Sequence, residues 1–363
     1  MAEQTPARIL FIKFSAIGDI VLNIPALRAI HAKFPQADID WLTVRGYEGI
    51  LAVCPYIKET LVIERPFRRS FSLADLRSSM RFLRDIARRR YDRVFNFQGN
   101  ARSYLIECVA QPGFQAKAAA LGRLIRESLL PPGLKGGRKQ RGYPVDVTLA
   151  DLETMGIPDA GRHLEYFLSE ECAGFASEFL ARHSLEPSPA RPLIGLNPGV
   201  NWESKEYFEE RYAAAADALV ESHRADILIF GGPDDLDKAN AVLGAMTHRD
   251  RAISCAGQTP TPNHAAALIA RCSMFITNDT GLMHLAAAVG TPTVSIFGGT
   301  SPSFHAPRPQ TGMDHIALCK GQTLPCWPCY RYYCQITDNR ACMKPITDED
   351  IVATARTLLS KAQ

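Results

Sequence analysis

Short apolar segments alternate along this chain with longer segments whose apolar residues recur at helical spacing. The first apolar segment, Arg8–Phe14, fits a buried parallel strand, and Ile20, Ile24 and Leu27 then follow three or four residues apart. The same alternation resumes at Leu193–Leu196 and continues towards the C-terminus. Strands that alternate with helices predict an α/β fold of doubly wound parallel sheets.

The same reading predicts further elements along the chain. The predicted strands are Asp38–Val44, Glu59–Ile63, Tyr91–Phe97, His163–Leu168, Asp226–Phe230, Ala252–Cys255, Met274–Thr277 and Thr293–Phe297. The predicted helices are Leu73–Arg90, Val145–Met155, Glu170–His183, Phe208–Glu221, Leu236–Met246, His264–Arg271, Gly281–Val289 and Asp348–Leu359.

The chain is also too long for one small domain, because 363 residues exceed what a single hydrophobic core usually supports. Three prolines, Pro187, Pro189 and Pro192, interrupt the alternation and suggest a linker between domains. We therefore expect an N-terminal domain over residues 1–185, a C-terminal domain over 190–345 and a C-terminal helix over 346–363. Each domain would be Rossmann-like, and the two would face a cleft.

Composition excludes several classes of protein. Hydrophobic residues make up 46% and charged residues 22% of the chain, which excludes disordered, collagen-like and coiled-coil proteins. The apolar run Ile9–Ile12 is too short for a signal peptide, and the charge-free stretch Thr280–Pro307 contains too many glycines and prolines for a membrane span. We expect a cytoplasmic protein in which the five scattered cysteines are reduced, buried thiols: Cys54, Cys108, Cys172, Cys255 and Cys272.

Positive charge is concentrated in the first half. Residues 1–168 hold 25 Lys and Arg against 17 Asp and Glu, whereas residues 169–363 hold 16 against 21. The densest block, Arg65–Arg93, contains ten Arg and three Asp. Such a block favours an anionic partner, and a solvated helix face is the alternative. The block lacks the interleaved aromatic residues of single-strand binding platforms, so we expect no nucleic-acid partner.

Three polar segments each follow a predicted strand, which is where the ligands of open parallel sheets bind. Ser15–Asp19 ends in a carboxylate that would act as a general base or as an N-cap. Asn197–Lys205 ends in a lysine that would reach a pyrophosphate or lie solvated at the surface. Thr277–His284 runs through an Asp-Thr-Gly turn into a helix, whose first N–H groups can bind phosphate.

Together these segments resemble glycosyltransferase family 9, the ADP-heptose:lipopolysaccharide heptosyltransferases. The family's opening, Lys-x-Ser-x-Ile-Gly-Asp followed by Leu-x-x-Pro-Ala-Leu, is similar to Lys13–Asp19 and Leu22–Leu27. Its Asn-Asp-Thr/Ser-Gly-x-Met-His-Leu-Ala-Ala-Ala signature is similar to Asn278–Ala288. Its Asp-x-Gln-Gly-x-x-Arg/Lys-Ser segment is similar to Asn96–Ser103, in which Asn replaces the family's acid. The resemblance covers essentially the whole chain and implies a GT-B fold, with the acceptor domain first and the nucleotide-sugar domain second.

The resemblance also implies an inverting transfer that needs no metal for its chemistry. By motif match, Asp19 is the catalytic base that takes the proton of the acceptor hydroxyl. The implied acceptor-side residues are Gln98 and Arg102. The implied donor-side residues are Lys205 for the diphosphate, Asp279 for the sugar hydroxyls, Thr280 and Gly281 at the helix start, His284 in the same signature, and Asp234 or Asp235 for the ribose.

The implied partners are a nucleotide-sugar donor, a lipopolysaccharide or related glycolipid acceptor, and the anionic inner face of the inner membrane. The main alternative is a family 9-like transferase with a different nucleotide-sugar, or with a protein or capsule-lipid acceptor. A catalytically silent scaffold is a further alternative, but it would not need Asp19, Lys205 and Asp279.

Five of the ten cysteines lie between Cys319 and Cys342. Four of them have the spacing of metal ligands, beginning with a Cys-x-x-Cys pair: Cys326, Cys329, Cys334 and Cys342. We expect a structural zinc or iron here, with a disulfide or simple packing of the thiols as alternatives. The cluster precedes the final helix, so we expect it to hold that helix and to lie away from Asp19 and Asp279.

Overall fold

The computed structural model of the chain describes residues 6–64, 73–111, 113, 118–119, 121–123, 125, 142–310 and 313–361. The chain divides into two compact units, Met1–Arg162 and His163–Gln363. This boundary lies before the helix Glu170–Arg182, whereas the sequence placed it after that helix, at residue 185. The helix belongs to the second unit because Phe179 packs into the same apolar cluster as Phe275.

The first unit is built on a parallel sheet. Its strands are β1 (Arg8–Ile12), β2 (Asp38–Val44), β3 (Glu59–Ile63) and β4 (Arg93–Asn96). In the described residues they pair in the order β3-β2-β1-β4. The helices described in this unit are Ile17–Val21, Ile24–Lys33, Leu73–Arg88, Ala101–Ala110 and Pro144–Thr154. Leu10, Ile12 and Leu42 are completely buried, as expected for central strands covered on both faces.

The second unit is built on a larger parallel sheet. Its strands are β5 (Leu193–Asn197), β6 (Asp226–Ile229), β7 (Ala252–Ser254), β8 (Met274–Asn278), β9 (Thr293–Ile296) and β10 (His315–Leu318). They pair in the order β10-β9-β8-β5-β6-β7. The helices described in this unit are Glu170–Arg182, Glu209–His223, Leu236–Ala245, Pro262–Ile269, Gly281–Ala288, Pro302–His305 and Asp348–Lys361. This strand order is that of the Rossmann fold.

Each sheet has a point at which the strand order reverses. In the first sheet it lies between β1 and β4, and in the second it lies between β5 and β8. Chains that leave neighbouring strands on opposite sides of such a point diverge, so a crevice opens at the carboxyl ends of the strands. The predicted site residues follow these four strands or lie in loops beside them.

Two sequence predictions of local structure are wrong. The segment His163–Leu168 is not a strand, because it packs through side chains: the Tyr166 hydroxyl donates to Asn263 rather than the backbone pairing with a sheet. The proline-rich segment is not a linker between the units, because a turn within the second unit contains it. That turn is closed by two backbone hydrogen bonds of 3.0 Å between Ser188 and Arg191.

None of the helices within the described residues combines the length and the apolar character that crossing a membrane requires.

Candidate active site

The loop after β1 presents Asp19 at the third position of the short helix Ile17–Val21. Asp19 Oδ1 lies 3.2 Å from the Nζ of Lys13, and Asp19 Oδ2 accepts a hydrogen bond of 3.2 Å from the N–H of Ala16. The Asp19 side chain is 55% exposed, whereas Lys13 is buried. Asp19 is therefore not the N-cap, which is Ala16. An oriented carboxylate that is open to solvent can accept a proton from an incoming hydroxyl.

The loop after β4 brings the two predicted acceptor-side residues to the same strand end. Gln98 Oε1 accepts a hydrogen bond of 2.9 Å from the N–H of Phe14. The Arg102 guanidinium lies 5.8 Å from the centre of the Phe14 ring and donates to the carbonyl oxygen of Glu64 at 2.9 Å. Burial lowers the pKa of Arg102. Gln98 and Arg102 thus flank the segment that leads from β1 to Asp19.

The structure explains why Asn96 stands where the family motif has an acid. Asn96 Nδ2 donates to Glu107 Oε2 at 2.8 Å, and Asn96 Oδ1 accepts from the N–H of Gln98 at 3.1 Å. Glu107 is only 4% exposed. A buried carboxylate is stabilised by an amide donor and destabilised by a second carboxylate. Asn therefore suits this position in this chain.

In the second unit, buried amides join the loops that follow β5 and β8. Asn197 Nδ2 donates to the hydroxyl oxygens of Thr277 and Thr280 at 3.0 and 3.2 Å. Asn278 Nδ2 donates to the carbonyl oxygen of Pro198 at 2.9 Å. Thr280 is the N-cap of the helix Gly281–Ala288. The network therefore fixes that helix start at the point where the strand order reverses.

Lys205 and Asp279 form an ion pair beside this helix start. Lys205 Nζ lies 2.8 Å from Asp279 Oδ2, which also accepts a hydrogen bond of 2.6 Å from the Thr300 hydroxyl. The Lys205 ammonium lies 4.7 Å from the centre of the Trp202 ring. Asp279 precedes Thr280, the N-cap of this helix, and so is not itself an N-cap. Loops after β5, β8 and β9 thus meet at one buried charge.

The ionisation of Asp279 is set by opposing effects. Burial alone would raise the pKa of Asp279, but Lys205 and His305, together with hydrogen bonds from Lys205 and Thr300, lower it below its usual value. Asp279 is 5% exposed. Asp279 therefore stays ionised near neutral pH, and its carboxylate holds the Lys205 side chain at the carboxyl edge of the sheet.

The remaining predicted donor-side residues differ in their surroundings. Asp234 is exposed in the turn after β6, whereas Asp235 is half-buried and its Oδ2 accepts from the N–H of Gly232 at 3.0 Å. Asp235 also packs against Gly199, where an added Cβ would lie 2.5 Å from its carboxylate. Gly281 is the first residue of its helix, and His284 is buried in the same helix. Of the two acids, Asp234 is therefore the one whose side chain is open to solvent.

The four cysteines of the predicted metal cluster lie near one another. Burial, and then the neighbouring Cys329, Cys334 and Cys326, raise the pKa of Cys342 to about 11. Four sulfur ligands suit zinc or iron. However, in the part of the chain that the structure describes, no group of three or more His, Cys, Asp or Glu side chains is placed to hold a metal ion.

The expected position of this cluster is wrong. The N–H of Ser204, the neighbour of Lys205, donates to the carbonyl oxygen of Tyr332 at 3.1 Å. The N–H of Tyr330 donates to the carbonyl oxygen of Gly299 at 3.0 Å, beside Thr300. The segment around the cysteines therefore lies against the two loops that carry Lys205 and Thr300, the partners of Asp279, and not away from that site.

Three further residues of these sites have roles that the sequence does not predict. Lys13, Asn197 and Thr300 are buried, and each bonds a side chain that was predicted. Lys13 and Asn197 lie within the segments that were singled out, and Thr300 follows the Gly-Gly pair after β9. Only the position after a strand could have indicated them, because their partners are distant in sequence.

Comparisons with known proteins agree with the resemblance found in the sequence. The family described as glycosyltransferase family 9 (heptosyltransferase) matches residues 145–339, which is more than half of the chain. Lipopolysaccharide heptosyltransferase 2 of Salmonella typhimurium is 28% identical over 307 residues, covering 83% of this chain and 85% of the relative.

Solved structures give the same result for the fold. A family 9 glycosyl transferase from Veillonella parvula has a TM-score of 0.77 at 23% identity and covers 98% of this chain and 97% of its own. The ADP-heptose LPS heptosyltransferase II of E. coli has a TM-score of 0.70 at 23% identity, with 98% and 99% covered. The predicted GT-B fold of two Rossmann-like units is confirmed.

Proposed function

The chain belongs to glycosyltransferase family 9 and is a glycosyltransferase, and from this premise we propose that it transfers heptose from ADP-heptose to a lipopolysaccharide core acceptor. The observation that carries the proposal is the ion pair between Lys205 and the buried Asp279 beside the N-terminus of the helix Gly281–Ala288. Relatives that are heptosyltransferases support the choice of sugar and acceptor.

In the proposed reaction, the first unit supplies the base. Asp19 accepts the proton of the acceptor hydroxyl while the oxygen forms a bond to the anomeric carbon. The bond from that carbon to the diphosphate oxygen breaks as the new bond forms on the opposite face, so the configuration inverts. Lys13 holds Asp19 Oδ1, and the Ala16 N–H holds Asp19 Oδ2, which directs the carboxylate before the acceptor arrives.

The second unit stabilises the leaving group. The departing nucleoside diphosphate gains negative charge, which the Lys205 ammonium and the N–H groups at the helix start can bind. Asp279 and Trp202 fix the ammonium. Asp279 is proposed to contact sugar hydroxyls, and the exposed Asp234 to contact the ribose. This chemistry uses charges that the chain itself provides, so we propose that the transfer needs no metal.

We also propose the division of labour implied by the resemblance. The first unit binds the acceptor through Gln98 and Arg102, and the second binds the nucleotide-sugar. The enzyme would act in the cytoplasm at the anionic inner membrane surface. A structural zinc or iron at Cys326, Cys329, Cys334 and Cys342 remains part of the proposal and takes no part in the transfer.

The donor is tested by calorimetry with ADP-heptose, UDP-sugars and GDP-sugars. We expect ADP-heptose to bind most tightly, and Lys205→Ala to weaken ADP binding by about 10- to 100-fold, since bonds to charged groups contribute about 1.5–3 kcal/mol. Lys58→Ala, which removes a lysine paired with Asp38 in the first unit, is the control. A clear preference for UDP would assign the protein to another donor class, as in the alternative above.

A further inference from the structure

The segment of residues 326–343, here called the cysteine loop, connects β10 to the final helix. It includes four of the chain's cysteines and two exposed tyrosines, Tyr332 and Tyr333. No role in the reaction follows from the family motifs quoted above, which end before it. Its contacts are made with the two loops that carry Lys205 and Thr300.

On the lysine side, the cysteine loop holds the residues next to Lys205. The Ser204 N–H donates to the carbonyl oxygen of Tyr332 at 3.1 Å, and the Ser204 hydroxyl donates to that of Arg331. Arg340 Nη1 donates to the carbonyl oxygen of Glu206 at 3.3 Å. Ser204 is 3% exposed. The backbone on both sides of Lys205 is therefore held by this loop.

On the threonine side, the same loop holds the Gly-Gly pair that precedes Thr300. Trp327 Nε1 donates to the carbonyl oxygen of Gly298 at 2.9 Å, and the N–H of Tyr330 donates to that of Gly299 at 3.0 Å. A Cβ added at Gly299 would lie 2.8 Å from Cys329 Sγ. The loop therefore packs directly against the backbone of this pair, with no room for a side chain.

These two sets of contacts meet at one acid. Asp279 Oδ2 accepts from Lys205 on one side and from Thr300 on the other. A shift of either loop would move a partner of this buried carboxylate and, with it, the ammonium. We propose that the cysteine loop is a positioning element of the nucleotide-sugar site, which sets the affinity for a nucleoside diphosphate by fixing Lys205 and Thr300 around Asp279.

This inference rests on the proposed function, because it takes Lys205 as the contact of the diphosphate. It also differs from a purely structural role. If the loop only stabilised the fold, the loss of one of its contacts would lower the melting temperature and leave the KM values for both substrates unchanged. If the loop positions Lys205 and Thr300, the same loss should raise the KM for the nucleotide-sugar and leave the KM for the acceptor unchanged.

The test uses two variants of the full chain, Ser204→Ala and Trp327→Phe, each of which removes one side-chain hydrogen bond to the partner loop. We expect the Kd of ADP to rise by about fivefold in each, the effect of one such bond. The KM for the nucleotide-sugar should rise by a similar factor. The matched control is Ser222→Ala. The Ser222 hydroxyl donates to the carbonyl oxygen of Ala218 and lies 2.8 Å from His223 Nδ1, and both residues belong to the same helix as Ser222.

The outcomes separate the two proposals. The positioning role is overturned if the unsubstituted protein binds ADP and both variants bind it with a Kd within twofold of the same value. That result would leave the proposed function intact. An original chain that binds no nucleoside diphosphate would overturn the proposed function itself. Trp327 is only half-buried, so Trp327→Phe decides the question if Ser204→Ala does not fold.

Discussion

The pair of Lys205 and Asp279 gives a prediction about acid stability. The lowered pKa of Asp279 means that its carboxylate stabilises the fold fully above the unfolded value of about 3.9. This contribution is lost as the pH falls from there through the lowered folded value. Asp279→Asn should therefore lower the free energy of unfolding by about 3 kcal/mol at pH 7, and the difference should shrink towards pH 3.

Denaturant unfolding of both proteins from pH 7 to pH 3 measures this difference. Asp234→Asn, which changes an exposed carboxylate in the same unit, is the control and should change the free energy of unfolding by less than about 0.5 kcal/mol. A difference for Asp279→Asn that stays constant across the range would show that the ion pair does not carry the effect.

Among single residues, the sequence predicts Asp19, Lys205 and Asp279, because they follow strand ends and match a family motif. It does not predict Asn197 and Thr300, because their roles depend on contacts with side chains more than 20 residues away. A sequence shows which residues follow strands, but it does not show which of the loops that carry them meet.

At the scale of elements, the strongly apolar strands were predicted well. Central strands such as β1 and β8 read as continuous apolar runs because helices cover both faces of the sheet. β10 was missed, since it has only four residues at the edge of its sheet and begins with a buried histidine, His315. The segment His163–Leu168 was wrongly predicted because its apolar side chains pack without strand pairing.

The cysteine loop gives a prediction at this scale. Freshly purified protein should contain about one zinc or iron per chain, since four thiolates satisfy one tetrahedral ion. Cys329→Ser should lower the metal content and the melting temperature, because metal binding and local folding are linked. Elemental analysis checks this, with Cys108→Ser in the first unit as the control. If the unsubstituted protein contains less than about a tenth of an equivalent of metal, the four thiols do not bind an ion and only pack within the loop.

At the scale of the whole molecule, both units repeat one arrangement: polar side chains at the reversal of a parallel sheet. The first unit carries the excess of positive charge, and part of its arginine block is structural. Arg89 Nη1 lies 2.6 Å from Glu59 Oε2 and 3.1 Å from Oδ2 of the buried Asp40. This guanidinium is therefore not available to a partner. Arg65, Arg68 and Arg69 lie outside the described residues.

The helix Leu73–Arg88 carries the exposed part of this block. Its exposed arginines recur at helical spacing along one side: Arg77, Arg81, Arg84 and Arg88. Replacing Arg77 and Arg84 by Gln should weaken binding to anionic vesicles by about tenfold or more at low salt, because each charge near such a surface contributes about 1 kcal/mol. Cosedimentation measures it, with Arg182 and Arg356 replaced as the control. If the variant cosediments with the vesicles as the unsubstituted protein does, these arginines form only a solvated helix face.

Asp19 is proposed as the base in a heptosyl transfer from ADP-heptose. This role is measured by the turnover of ADP-heptose with a lipopolysaccharide core acceptor, compared between the unsubstituted protein and Asp19→Asn. We expect the variant to fold and to bind ADP normally but to lose turnover by about 10²- to 10⁴-fold, as expected for the loss of a general base. Turnover close to that of the unsubstituted protein would show that Asp19 is not the base.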